Sequence, residues 1–141
     1  MIGDPTTMVL AKELSVAGIL AGVRAGRTVV KLHTPADPMI VLDTVPPLPL
    51  DSSTYPLPPS ATQFTLTVTV TGAAAQGDFQ LRLVKDGVAG NFTAIKTDPF
   101  VQQFVIPTPL PRANVTHRWR AEVHKGGVTP FTITNHVYVK F

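Results

Sequence analysis

The clearest pattern in the chain is a two-residue alternation of apolar and polar side chains between Thr116 and His124. The apolar positions are Trp119, Ala121 and Val123, and the polar positions are Arg118, Arg120, Glu122 and His124. Successive side chains of a strand point to opposite faces, so this pattern predicts a strand with one face in a core and the other in water. Trp119 is the only tryptophan and brings the largest single apolar area. We therefore place this strand at the centre of an antiparallel β-sandwich.

The same alternation recurs elsewhere in the chain. Apolar residues at 64–70 alternate with threonines, and those at 79–83 alternate with polar residues. Shorter extended segments are expected at 27–32, 39–42, 92–96 and 100–106. Turn residues follow at 85–87, where the sequence is Lys-Asp-Gly, and at 126–127, where it is Gly-Gly.

The last strand is predicted to carry its apolar side chains on one face, at Phe131, Ile133, Val137, Val139 and Phe141. Asn135 falls on the same parity, which indicates a bulge or a buried hydrogen bond at that position. About seven short strands at this spacing predict an all-β fold, an immunoglobulin-like antiparallel β-sandwich with one short N-terminal α-helix.

The helix is predicted between an N-cap at Ser15 and a C-terminal glycine at Gly26. Its apolar stripe, at helical spacing, consists of Val16, Ile19, Leu20 and Val23. A helix of about ten residues is marginal alone in water, so the stripe needs a partner surface. We expect these four residues to form an interface with another domain, or to fold back on the sandwich. Leu14 is in place to pack on Ile19 as a hydrophobic staple.

Residues 44–60 hold six prolines, and an extended proline-rich segment does not pair as a central strand. It is either an interdomain linker or a long surface loop of the sandwich. The domain prediction is therefore a short N-terminal unit at 1–26 and an immunoglobulin-like sandwich at 27–141, with the proline-rich segment inside the second.

Composition narrows the range of functions. The net charge is +3, but the basic residues are scattered and do not interleave with aromatic ones, so no nucleic-acid partner is expected. No apolar run approaches the roughly 20 residues that span a bilayer, and no signal-peptide core is visible near the start. We expect a soluble chain without membrane insertion, in a compartment that the sequence leaves open. Cysteine is absent, which excludes disulfides and thiolate chemistry.

The four histidines are the remaining candidates for metal or acid–base chemistry. His117 and His124 are seven residues apart, so a regular strand places them on opposite faces. If the final two strands pair as a hairpin, His136 approaches His124 on the polar face, which would form a weak zinc pair, although cross-strand proximity alone would explain the approach. Three aspartates at 37, 43 and 51 read as turn residues rather than ligands that converge on a cation. We assign no catalytic, cofactor-binding or metal-binding residue, and the chain is not expected to be an enzyme by itself.

Two stretches resemble a known family. The first holds GDPTTMVLA at 3–11, the Ser15-capped helix and VRAGRTVVKL at 23–32. It is similar to the end of the catalytic domain in PHP-superfamily metallohydrolases, especially the carbaryl-hydrolase-like (CehA/McbA) branch. The second holds WRAEV at 119–123 and ITNHVYV at 133–139, and it resembles the closing strands of the β-sandwich that often follows this domain. In that family the second stretch has a proline where His136 stands here.

The resemblance implies that residues 1–26 are the tail of a PHP-like catalytic domain. The metal-binding His-x-His and Asp-x-His motifs of the family lie upstream of the Gly-x-Pro-Thr-Thr segment and have no match here. The chain would then be the non-catalytic accessory C-terminal region of a metal-dependent hydrolase, with the upstream domain as its partner. The alternative is an independent immunoglobulin-like module that binds carbohydrate or protein, with exposed aromatics such as Tyr55, Phe92 or Tyr138 in a groove.

Overall fold

A computed structural model describes residues 5–109 and 114–141. The first four residues of the predicted N-terminal unit and residues 110–113 therefore lie outside the described residues. The strands are β1 Thr6–Val9, β2 Thr28–Lys31, β3 Met39–Val45, β4 Thr54–Pro56, β5 Gln63–Thr71, β6 Phe79–Lys85, β7 Val88–Ala89, β8 Thr93–Ala94, β9 Phe100–Pro107, β10 Thr116–Lys125, β11 Thr129–Thr134 and β12 Val137–Lys140. The helix α1 spans Val16–Arg24, and a 3-10 turn spans Ala74–Gln76.

The strands form two facing sheets, which confirms the predicted immunoglobulin-like β-sandwich. The smaller sheet has the order β3-β5-β9 and is antiparallel throughout. In the larger sheet β10 is central: β6 pairs with one edge, while β11 and β12 share the other. Strand β2 pairs with β11, and β1 pairs with β2. The pairing of β4 with β12 is parallel, in contrast to the antiparallel pairs around it.

The core lies between the sheets, on the apolar parity of the alternating strands. Trp119 is 1% exposed and meets Phe64 of the opposite sheet edge-on, with ring centroids 5.0 Å apart. Phe141 closes this aromatic group at 5.9 Å from Trp119. Burial of the indole, together with strand pairing on both edges of β10, confirms the prediction that β10 is the central strand.

The other face of β10 differs from the prediction. Arg118 is exposed as expected, but Glu122 and His124 are 2% and 3% exposed. Phe92, in the loop between β7 and β8, lies over this face, with its ring centroid 5.2 Å from that of His124. The expectation of a fully solvated polar face is therefore wrong, because a distant loop covers it.

The last strand also departs from the prediction. It breaks at Asn135 and His136 into β11 and β12, as the predicted bulge requires, but the irregularity changes the parity of the apolar face. Val137, Val139 and Phe141 are buried as expected, whereas in β11 the buried side chains are Thr132 and Thr134. Ile133 pairs with Glu122 and shares its outward face.

The hydroxyls compensate for their place in the core. Thr132 Oγ1 donates to the Pro38 carbonyl at 2.6 Å, and the Ala121 amide donates to Thr134 Oγ1 at 3.0 Å. Buried polar groups are tolerated when they are paired in this way.

The helix has the predicted ends. Ser15 Oγ accepts a hydrogen bond from the Gly18 amide at 2.9 Å. Gly26 has φ +69°, and the Arg27 amide bonds to the Gly22 carbonyl at 3.0 Å, which is the geometry of a Schellman ending. The helix connects β1 to β2, so it is attached to the edge of the larger sheet.

The proline-rich segment at 44–60 includes the end of β3 and all of β4. Because β3 belongs to the smaller sheet and β4 to the larger, this segment crosses from one sheet to the other. The Leu57 amide bonds to the Lys140 carbonyl at 3.1 Å, which extends the contact with β12.

Within residues 5–109 and 114–141, no helix has both the length and the apolar character that a membrane span requires.

Candidate functional site

The predicted interface residues lie on the outward face of α1. Val16, Ile19, Leu20 and Val23 are 76%, 38%, 46% and 49% exposed. The structure therefore does not fold the stripe back on the sandwich. These four side chains form one helical face, which we call the N-terminal apolar surface. Leu14 is 97% exposed, so the predicted hydrophobic staple onto Ile19 is wrong.

Two glycines explain why this face points outward. Gly18 and Gly22 are the buried residues of α1. A Cβ atom at Gly22 would lie 2.6 Å from Val9 Cγ1, and one at Gly18 would lie 2.5 Å from the Glu13 carbonyl oxygen. The helix thus approaches its neighbours through its glycine face, and the larger apolar side chains remain on the opposite side.

A second candidate site is a charged cluster around Glu122 on the outer face of the larger sheet. Arg82 Nε and Nη2 donate to Glu122 Oε2 at 2.8 and 2.7 Å. Arg120 Nε and Nη2 donate to Oε1 at 2.7 and 2.6 Å. His124 Nε2 lies 2.9 Å from Oε2. Cross-strand register explains part of this geometry, because Glu122 and Arg82 are paired residues of β10 and β6.

The electrostatics of the cluster favour an ionised carboxylate. Burial by itself raises the pKa of Glu122. The hydrogen bonds from His124, Arg82 and Arg120 lower the pKa by more than burial raises it, so the net change is from 4.5 to about 2. A carboxylate with this pKa holds no proton to donate near neutral pH and is a weak base. The two guanidinium groups are already paired with it. The cluster is therefore suited to holding strands together rather than to acid–base catalysis.

His136 lies in the break between β11 and β12, next to Arg120. His136 Nε2 lies 3.3 Å from Arg120 Nη1, and burial and then the charges of Arg120 and Arg118 lower its pKa. A neutral His136 accepts a hydrogen bond from Arg120. The register places His124 opposite Pro130, so the two histidines do not face each other across the hairpin.

His117 makes a different contact. Its Nδ1 lies 2.6 Å from Asp86 Oδ2, and the Arg118 amide donates to Asp86 Oδ1 at 2.9 Å. Burial raises the pKa of Asp86, but these bonds outweigh it and the pKa is lowered. Asp86 has φ +52° in the predicted turn after β6, so the turn also anchors the start of β10.

Two of the three aspartates predicted as turn residues, Asp37 and Asp51, are found in that role, whereas Asp43 lies on the exposed face of β3 and its prediction is wrong. Asp37 accepts from the His33 amide at 2.8 Å and from Thr34 Oγ1 at 3.2 Å. Asp51 Oδ1 accepts from the Ser53 amide at 2.8 Å. In the described part of the chain, no three His, Asp or Glu side chains lie together as a metal site would require.

The three aromatics predicted to be exposed in a binding groove, Tyr55, Phe92 and Tyr138, are half-buried rather than exposed. Phe92 packs on His124, and the Arg82 guanidinium carbon lies 5.0 Å from its ring centroid. Tyr138 contacts the ring of His136 at 5.8 Å. Tyr55 lies on β4, and no ring contact joins it to either of the other two within residues 5–109 and 114–141.

A cleft of about 600 Å³ opens between the sheets beside β6. Trp119, Leu83 and Phe104 line it, together with Lys85 and Asp86. The Lys85 ammonium lies 5.7 Å from the centroid of the Trp119 ring. The described residues that line the cleft include no Ser, Thr or Cys side chain.

No protein-family model matches the chain, and no curated protein matches it. Among solved structures, it is similar to the CARDB domain of a Pyrococcus furiosus protein, which was crystallised in complex with di-metal ions. The identity is 14%, the TM-score is 0.40, and the match covers 75% of this chain and 96% of that chain. A similarity of this size identifies neither a family nor an activity. Neither finding tests the PHP resemblance, which stays a prediction.

Proposed function

We propose that this chain is a non-catalytic accessory domain that docks on another domain of the same polypeptide through the N-terminal apolar surface. The observation that carries the proposal is the exposure of Val16, Ile19, Leu20 and Val23 on a helix that is capped and anchored at both ends. An apolar face held rigidly in water is typical of a surface that is buried by a partner.

The charges of the molecule support a structural role for the sandwich itself. The carboxylate of Glu122, which is 2% exposed, is neutralised by Arg82 and Arg120 rather than directed into a cleft. Asp86 and His117 pair with each other at a turn. These ionisable groups are engaged in holding strands and turns, which leaves them poorly placed for chemistry on a substrate.

We further propose that the partner is an upstream PHP-type metal-dependent hydrolase domain. This part rests on the resemblance of residues 3–32 to the end of such a domain. In that arrangement α1 and β1 belong to the junction between the hydrolase and the sandwich, and any metal is held entirely by the upstream domain.

The experiment begins with the reading frame upstream of the codon for Met1. We expect an open frame that encodes His-x-His and Asp-x-His motifs. A stop codon or a secretion signal directly before Met1 would instead favour the independent binding module, for which a glycan array on the purified chain is the direct assay.

The longer polypeptide then tests docking. Leu20→Asp should lower its midpoint of thermal unfolding by several degrees, because the new carboxylate would be buried at the interface. In the 141-residue chain the same change should have little effect, since Leu20 is 46% exposed. Val128→Asp is the matched control, because Val128 is 81% exposed and lies in the turn after β10. Equal effects of Leu20→Asp in both polypeptides would contradict docking through α1.

A further inference from the structure

The outer face of the smaller sheet has an unusually regular composition. Register places three side chains side by side in each of three consecutive outward rows. The rows are Val45-Thr65-Val105, Asp43-Thr67-Gln103 and Val41-Thr69-Val101. We call these nine residues the threonine face.

The threonine face is accessible and nearly uncharged. Its four corner valines, at 41, 45, 101 and 105, are 38%, 66%, 55% and 57% exposed. Asp43 is its single charged residue, whereas the outer face of the larger sheet carries Arg82, Arg118, Arg120 and Glu122. Four exposed β-branched apolar side chains around a threonine column are a flat surface of the kind that packs against another sheet.

The pattern is self-complementary about one axis. A two-fold axis that runs along β5 in the plane of contact places each row against the same row of a second copy, in reversed order. Valine then meets valine at all four corners, and threonine meets threonine along β5. In the central row the Asp43 carboxylate meets the Gln103 side-chain amide of the second copy, twice by symmetry. A carboxylate accepts hydrogen bonds from such an amide.

We propose that the threonine face is the contact surface of a symmetric homodimer in which β3 of one copy faces β9 of the other. The other two-fold axis in the plane of contact runs across the strands, perpendicular to β5. Charge repulsion disfavours it, because it would place β3 against β3 and so Asp43 against Asp43. The partner is therefore a second copy of this chain in one specified orientation. This surface is separate from the N-terminal apolar surface and does not depend on the function proposed for it.

The area of the face is small for a dimer interface. Three strands about 4.8 Å apart and roughly 24 Å long give on the order of 350 Å² per copy, against about 800 Å² per partner in a standard interface. We therefore expect a weak dimer, which sedimentation equilibrium would detect at high protein concentration.

Two substitutions of one residue should shift the association in opposite directions. Gln103→Lys places an ammonium opposite Asp43 of the second copy and should raise the association constant about fivefold at low ionic strength. Gln103→Glu places two carboxylates together and should lower it by about the same factor. Added salt should reduce both effects.

The controls separate this contact from a general charge effect and from α1. Val88→Lys and Val88→Glu change the net charge equally at a 73% exposed site on β7, and they should leave the association constant unchanged. In an Asp43→Asn background the gain from Gln103→Lys should disappear. Leu20→Asp should leave the dimer intact.

Three results would overturn the proposal. One is a chain that stays monomeric at all concentrations. Another is an association that Leu20→Asp abolishes and both Gln103 variants leave unchanged. The third is a weaker dimer in Gln103→Lys, which would mean that β9 faces β9 and that the orientation is wrong.

Discussion

At the scale of single residues, Glu122 is the side chain whose environment departs most from what its sequence position suggests. Its place on the polar parity of β10 predicts a solvated carboxylate, yet it is 2% exposed. The burial is tolerated because Arg82, Arg120 and His124 supply hydrogen bonds to both of its oxygens. Removal of the charge should therefore cost more than removal of an ordinary surface carboxylate.

Glu122→Gln should lower the free energy of unfolding by about 2–3 kcal/mol, because Arg82 and Arg120 would lose their shared counter-charge while remaining partly buried. Urea denaturation measures this change. Glu13→Gln, at an exposed position before α1, is the control and should change stability by less than about 0.5 kcal/mol. A loss for Glu122→Gln no larger than that of the control would show that the cluster does not stabilise the fold.

The lowered pKa of Glu122 also makes the free energy of unfolding depend on pH in the acid range. Folding lowers the pKa of Glu122 from 4.5 to about 2, so its contribution is fully present above pH 4.5 and is lost as the pH falls toward 2. The contribution is on the order of 3 kcal/mol. The difference in stability between the wild type and Glu122→Gln should shrink across this window. A difference that is constant from neutral pH to pH 2 would contradict the lowered pKa.

At the scale of elements, α1 shows how small residues decide which face of a helix is buried. From sequence, its stripe of Val16, Ile19, Leu20 and Val23 is the face predicted to be covered, either by another domain or by the sandwich. The structure instead buries Gly18 and Gly22, since only glycine permits the close approach to Glu13 and Val9. Hydrophobic periodicity located the helix, and Ser15 and Gly26 located its two ends, but the sequence could not tell which neighbour of the helix lies within the same chain.

Two exchanges between glycine and alanine test this contact. By helix propensity alone, Gly18→Ala should stabilise α1 by about 1 kcal/mol and Ala17→Gly should destabilise it by as much. We instead expect both exchanges to destabilise α1. In Gly18→Ala the gain in helix propensity is outweighed, because the added Cβ would lie 2.5 Å from the Glu13 carbonyl oxygen. Native-state hydrogen exchange of the amides at 16–24 reports the opening free energy. Slower exchange in Gly18→Ala than in the wild type would contradict the close packing.

The last strand marks another limit of pattern reading at this scale. Asn135 on the apolar parity correctly indicated an irregularity. Whether that irregularity restores or inverts the alternation depends on how β11 and β12 each pair with β10, which is information from the partner strand. Thr132 and Thr134 therefore occupy core positions that the sequence had assigned to Phe131 and Ile133.

At the scale of the whole molecule, period-two burial was enough to predict a sandwich centred on Trp119. The burial of the indole against Phe64 and Phe141 follows from that pattern. The period-two pattern could not predict two other features of the fold, because both depend on contacts between segments far apart in sequence. One is the position of Phe92 over the outer face of β10, and the other is the attachment of the β1-α1-β2 unit to the edge of the larger sheet.

The central claim, that this chain is an accessory domain without chemistry of its own, is tested most directly by a hydrolysis assay on the purified 141-residue protein. The assay uses p-nitrophenyl phosphate as substrate with Mn²⁺ or Zn²⁺ added, and equilibrium dialysis measures the metal that each chain retains. We predict no turnover above the metal-only control and no stoichiometric metal. Metal-dependent turnover that follows the protein through purification, together with one or more metal ions bound per chain, would contradict the claim.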